Sequence, residues 1–236
     1  MSKVSIIIPA YNEEFLLPAT LRALREAEAS LGWSADLIVV DDGSTDRTAE
    51  IARNFGARVV SVKLRHIAGA RNAGGRAARG DVLVFVDADT IVPADVLRDA
   101  VNAIDAGAVA GGAGVRYRAG DPRWAAVVTA IVIWIMRRAK WAAGCFVFVR
   151  RDVFERVGGF DERYFASEEI HFSRAVKKHG RFVMLRREVV TSARKAKFFS
   201  ARAVLMQFLV MLRPGSLKRR DRLGFWYDGQ REKSAE

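Results

Sequence analysis

The chain is poor in sulfur and in imidazole. Among its 236 residues there is one cysteine, Cys145, which excludes an internal disulfide and a cysteine-built zinc cage. Three histidines (His66, His171 and His179) argue against a histidine-rich transition-metal site. Any metal would be held mainly by oxygen, which suits Mg²⁺ or Mn²⁺. No apolar run reaches the roughly 20 residues that a membrane-spanning helix requires. The opening KVSIIIPAY reads as a strand, with no basic segment and cleavage site before it, so no signal peptide is expected. A cytoplasmic protein is the expectation.

What is present points to a packed core, since 50% of the residues are hydrophobic and 28% are charged. The net charge of +12 is unevenly placed: residues 1–120 hold 14 Lys/Arg against 15 Asp/Glu, and residues 121–236 hold 25 against 12. Such asymmetry suits an anionic lipid surface, an anionic substrate or nucleic acid; a solvated basic face is the plainer alternative. Residues 186–222 carry 11 Lys/Arg and two acids, interleaved with aliphatic rather than stacking side chains. Nucleic acid is therefore not expected. An anionic membrane surface is the partner this segment favours, which would place the protein peripherally on the inner face of the cell membrane. The apolar stretches 124–136 and 198–212 would each make a helix of roughly 20 Å, shorter than the ~30 Å hydrocarbon core. They are either buried or lie in the membrane interface.

Residues 1–105 alternate strand and helix. Strands are expected at Val4–Pro9, Leu37–Val40, Val59–Val62 and Val82–Val86. Helices are expected from Glu13-Glu14 to about Ala29 with Asn12 as cap, through Arg53 with Ser44 or Thr45 as cap, over 69–79, and from Pro93 to about Ile104. Later segments add strands at 108–118, in GCFVFVRR and in 182–191, helices at 152–157 and from Ser167 to Lys178, and a helix opening at Asp121-Pro122. Strands apolar on both faces and alternating with helices predict an α/β fold with a mostly parallel central sheet covered on both sides. Ligands then bind outside the carboxyl ends of the strands. The expected organisation is one domain over 1–190, with a nucleotide-binding half to 105 and an acceptor half from 106, followed by a basic, apolar-helical extension over 191–236.

Three strand ends carry polar or acidic groups: Pro9-Ala10-Tyr11, Asp41-Asp42 and Asp87-Ala88-Asp89. In an extended stretch, residues i and i+2 point the same way, so Asp87 and Asp89 could share one divalent cation; otherwise they cap a helix or face water. Asp41 or Asp42 could accept hydrogen bonds from a base or ribose, or merely serve a turn. Tyr11 could stack on a base or pack over the sheet edge. Arg71, placed in the first turn of a helix, could fork onto phosphate. Glu168 and Glu169 suit a helix N-terminus, and either could act as a general base, with His171 assisting.

In this order, IPAYNEE, VDDGSTDRT, GARNAG, VFVDADT, GGFDE and SEEIHFSRAVKKHG resemble the family 2 glycosyltransferases of the GT-A fold, over about three quarters of the chain. The resemblance implies an inverting transferase that moves a sugar from a nucleotide-diphosphate donor, UDP-sugar favoured, to a carbohydrate or lipid-linked acceptor of the cell envelope. It implies that Pro9, Ala10, Tyr11, Glu13, Asp41 and Asp42 surround the nucleoside, with Asp42 the preferred base contact, and that Arg71 lies near the donor. It implies a metal on Asp89, Asp87 on the ribose or a metal-bound water, and Ala88 between them. The family's Glu-Asp pair stands here as Glu168-Glu169, which puts Glu169 at the base position, and His171 replaces an acid. Outside the resemblance, two alternatives remain: a non-catalytic sugar-nucleotide or membrane-surface binding protein, and a small five-stranded receiver-like signalling unit.

Overall fold

The computed structural model describes residues 3–117 and 134–192; the expected extension, the stretch 198–212, most of 124–136 and the Asp121-Pro122 helix start lie outside the described residues. In chain order the elements are β1 (Val4–Ala10), α1 (Leu17–Leu31), β2 (Asp36–Asp41), α2 (Thr48–Asn54), β3 (Arg58–Ser61), α3 (Ile67–Ala77), β4 (Val82–Val86), β5 (Thr90–Ile91), α4 (Ala94–Asp105) and β6 (Ala110–Tyr117). Residues 134–139 are helical. They are followed by β7 (Phe146–Arg150), α5 (Arg151–Val157), α6 (Glu168–Val176), a 3-10 turn (Lys177–His179) and β8 (Phe182–Thr191).

The strands form one sheet in the order β3-β2-β1-β4-β7-β6-β8-β5. β3, β2, β1 and β4 run parallel, as do β6 and β8. The direction reverses where β7 enters between β4 and β6, and again where β5 pairs with β8. The small five-stranded unit of the receiver-like reading does not accommodate this sheet. Alternate residues of one strand feed opposite cores, as the two-residue period of a β-strand requires. Ile6, Ile8, Val39, Val84 and Val86 join the layer with α1 and α4, whereas Ile7, Ile38, Val40, Leu83 and Phe85 join the layer with α3, α5 and α6. Burial on both faces explains why these strands read as unbroken apolar runs.

Two helix starts differ from expectation, for the same physical reason. The amides of Asn12, Glu13 and Glu14 bond to Ser44 Oγ (3.0 Å), Thr48 Oγ1 (2.8 Å) and Asp46 Oδ2 (3.1 Å) instead of opening a helix. α1 therefore begins only at Leu17, with Pro18 in its first turn, where a missing N–H costs nothing. Ser44 is likewise engaged elsewhere, and Asp46 Oδ1 accepts the Thr48 N–H (3.0 Å) at the head of α2. β5 escaped notice because two residues show no period.

The glycines of α3 are spacers. A Cβ on Gly74 would sit 2.3 Å from Ile7 Cγ2 and 2.7 Å from Val40 Cγ2, and one on Gly75 would sit 2.5 Å from Phe154 Cζ. The helix thus rests its backbone directly on β1 and β2, which fixes its N-terminal end over the strand tips. Gly74→Ala is expected to cost about 1–3 kcal/mol through overpacking. Thermal melting would show this as a lowered midpoint, and an unchanged midpoint would contradict the seating described.

Candidate active site

The carboxyl ends of β1 and β2 are level, with Ala10 opposite Asp41 and Pro9 opposite Val40. Tyr11 follows directly, and Asn12 turns the chain with φ 50°. Its Oδ1 accepts the Thr45 N–H (2.8 Å), so loops 11–16 and 42–48 are laced together. Glu13 is buried in this lacing, and its carbonyl accepts the Leu17 N–H (2.9 Å).

The two acids at the β2 tip do different work. Asp42 accepts the main-chain N–H groups of Leu64 (2.6 Å), Arg65 (2.8 Å) and His66 (2.9 Å), using both oxygens. It thereby anchors the approach to α3. Asp41 accepts only the Ser44 N–H (3.0 Å) among the described residues, which makes it the more available acceptor of the two. The Arg65 guanidinium lies 3.4 Å from the centroid of the Tyr11 ring, so the proposed stacking face is already covered by a cation. Sequence reasoning missed Arg65, because nothing in its local pattern marks a partner 54 positions earlier.

Arg71 also differs from expectation. It is the fifth residue of α3, past the first turn, and it is only 1% exposed. Its Nη1 donates to Glu168 Oε1 (2.5 Å), and its Nη2 donates to Asp87 Oδ1 (2.9 Å) and to the Gly144 carbonyl (2.8 Å). It is a clamp between carboxylates rather than an open phosphate fork. Burial alone would lower its pKa, but Asp87, Glu168 and Glu169 outweigh that and raise it, so the guanidinium stays charged. The next residue, Asn72, donates to Phe160 O (2.8 Å) and Glu162 Oε1 (2.8 Å) and accepts the Phe160 N–H (2.7 Å). GARNAG and GGFDE are therefore one joint.

Asp87 and Asp89 do not continue a strand. Thr90 N–H donates to Asp87 O (3.1 Å) and closes a turn, which corrects the extended i, i+2 geometry. Asp87 points to Arg71, while Asp89 Oδ1 accepts from Thr191 Oγ1 (3.3 Å) at the end of β8. Between them Ala88 is buried, and its carbonyl accepts from Thr20 Oγ1 of α1 (2.8 Å). Burial pushes the Asp87 carboxyl up to about 6; Arg71 opposes this, and the nearby charges of Asp89 and Glu168 add to it. Glu169 is likewise pushed up, by burial first and then by Glu168, with Arg71 opposing. Gly144 makes room for this approach, since a Cβ there would lie 3.2 Å from Arg71 Nη2 and 3.6 Å from Glu169 Cδ. Ser167, at φ 60°, turns the chain into α6 so that both glutamates stand in its first turn. His171 stacks on the Tyr164 ring at 3.7 Å.

Three carboxylates, Asp87, Glu168 and Glu169, thus act on one buried cation, with Asp89 beside Asp87. The excess negative charge, and the upward displacement of Asp87, fit a second cation at this end of the site. An all-oxygen donor set suits a hard ion. Among the described residues no three His, Cys, Asp or Glu side chains converge into a ready-made cage. Mg²⁺, and Mn²⁺ with the same preference for oxygen, takes one or two carboxylates and completes its shell with water and phosphate.

A mixed sheet with acidic strand tips and a carboxylate cluster beside them is the architecture of the GT-A glycosyltransferases. The mannosyltransferase PcManGT from Pyrobaculum calidifontis, solved with GDP-Man and Mn²⁺, superposes with a TM-score of 0.68 at 22% identity, covering 87% of this chain and 60% of that one. Glucosyl-3-phosphoglycerate synthase from Mycobacterium tuberculosis, in complex with Mn²⁺, UDP and phosphoglyceric acid, superposes at 0.60 with 22% identity, covering 89% and 78%. Residues 5–158 match Glycosyl transferase family 2, and the chain belongs to that family. It is 33% identical over 172 residues to the undecaprenyl-phosphate 4-deoxy-4-formamido-L-arabinose transferase of Pseudomonas aeruginosa (strain LESB58). That match covers 68% of this chain and spans half the length of the relative.

Removing the clamp leaves the buried Glu168, and Asp87 beside it, without a countercharge. Arg71→Met is expected to destabilise the fold by about 3–5 kcal/mol. Denaturant titration would register the loss, and near-wild-type stability would refute the clamp.

Proposed function

We propose that the protein is an inverting, metal-dependent glycosyltransferase that moves a sugar from a nucleoside diphosphate to an acceptor hydroxyl. The observation that carries this reading is the meeting of Asp87, Glu168 and Glu169 around Arg71 beside the strand tips that hold Tyr11 and Asp41. Tyr11, Ala10, Pro9 and Asp41 form the nucleoside end, with uridine as the favoured base. Asp89 and Asp87 would hold a Mg²⁺ or Mn²⁺ ion, which when bound supplies positive charge to the diphosphate leaving group. Glu169 takes the proton of the acceptor hydroxyl. The freed oxygen forms a bond to the anomeric carbon as the bond from that carbon to the diphosphate oxygen breaks on the opposite face, and the centre inverts. Glu168 keeps Arg71 oriented and holds Glu169 basic enough to accept a proton near neutral pH.

A lipid-linked acceptor of the cell envelope, met at the inner face of the membrane, is the favoured acceptor class. It is supported by the basic balance of residues 121–236 and by the name of the Pseudomonas relative. Among the described residues, no helix is long and apolar enough to cross a membrane.

Asp89→Asn and Glu169→Gln are expected to lower transfer by about 10²-fold or more with unchanged melting; full activity in either would refute the role assigned to it. Donor panels of UDP-, GDP- and dTDP-sugars with Mn²⁺ provide the assay. Because Glu169 must be ionised to act, the rate is expected to rise with pH through its elevated pKa. Glu168→Gln removes a neighbouring negative charge, lowers that pKa, and is expected to shift the acid limb to lower pH. A limb that stays in place would remove Glu169 as the titrating group.

A further inference from the structure

Arg65 has a left-handed backbone (φ 50°), a conformation that side chains other than Gly, Asn and Asp seldom adopt. Three bonds from one carboxylate hold it there: Asp42 accepts the amides of Leu64, Arg65 and His66. The main chain at residue 65 is therefore pinned, and only the unbranched side chain can move. That side chain lays its guanidinium 3.4 Å above the Tyr11 ring, one van der Waals layer away. Tyr11 immediately follows Ala10, which pairs with Asp41, so ring and guanidinium lie at the tip of the strand pair that ends in Asp41.

We propose that Arg65 is the second wall of the nucleobase pocket: the base inserts between the Tyr11 ring and the Arg65 guanidinium. The inference rests on the nucleotide-sugar reading above and deepens it. A cation over an aromatic face at a half-exposed position is a weak contact, and stacking of a base on the same ring is stronger. The contact thus yields to a base. A flat guanidinium then stacks on the far face of that base, as it does here on the Tyr11 ring. Opening by one further layer needs a rotamer change in Arg65 and no main-chain movement. Asp41 ends the neighbouring strand, and its carboxylate, which accepts only the Ser44 N–H among the described residues, can accept an N–H from the base edge.

The test is calorimetric titration of the full chain with UDP and with GDP in the presence of Mn²⁺, using inorganic pyrophosphate as a base-free probe. Arg65→Ala is expected to weaken the preferred nucleotide about tenfold and to leave pyrophosphate binding unchanged. Arg65→Lys is expected to resemble Arg65→Ala, because an ammonium keeps the charge but offers no plane. Unchanged nucleotide binding in Arg65→Ala would overturn the proposal, as would tighter binding, which would make Arg65 a plug. Equal losses for nucleotide and pyrophosphate, rescued by lysine, would assign Arg65 to phosphate and overturn it too. A wild-type chain that binds neither nucleotide would sink the donor reading itself, and this proposal with it. Wild-type binding that is indifferent to residue 65 sinks the wall alone.

Discussion

A single buried guanidinium organises the reactive end of this protein. Arg71 reaches the loop after β4 through Asp87, the first turn of α6 through Glu168, and the segment before β7 through the Gly144 carbonyl. These three pieces are remote in sequence and would otherwise bring like charges together. A charge removed from water is tolerated only when paired and hydrogen-bonded, so each carboxylate is held in place by its need for the same cation. Glu169 joins this cluster, where burial and the Glu168 charge raise its pKa against the opposing pull of Arg71.

The clamp can do this only because its helix is seated closely. α3 rests Gly74 on Ile7 and Val40, and Gly75 on Phe154, which sets the reach of a side chain that starts between them and the strand tips. Asn72 adds the joint to Phe160 and Glu162, and so ties the turn before α6 to the same helix. Core packing and site geometry are one problem here: the volume left out at two glycines fixes where a guanidinium can be.

Much of the fold was legible in the sequence. β4 was placed to the residue because five consecutive apolar side chains buried on both faces leave no other reading, and the strand-tip acids were found by their position after such runs. Elements set by tertiary bonds were less visible. The start of α1 moved because amides near Asn12 bond to a loop more than thirty residues away. Arg71 read as an exposed phosphate ligand because composition cannot distinguish a surface cation from one enclosed by carboxylates of later segments. The anchoring by Asp42 was not legible, because the main-chain amides it accepts carry no side-chain signature. Glu168 and Glu169 were recognisable as a pair, but their unequal roles depend on which one Arg71 reaches.

The way Asp42 grips residues 64–66 has a consequence for how such a protein diversifies. The grip uses main-chain hydrogens alone, so the side chain at residue 65 can change without breaking it, within the limits that a φ of 50° imposes. Strand, helix and clamp can stay fixed while point changes rewrite the surface that, on the nucleotide-sugar reading proposed above, faces the nucleoside. On that reading, selectivity for the leaving nucleotide can drift without disturbing the scaffold, and this short shelf is where an engineer should begin.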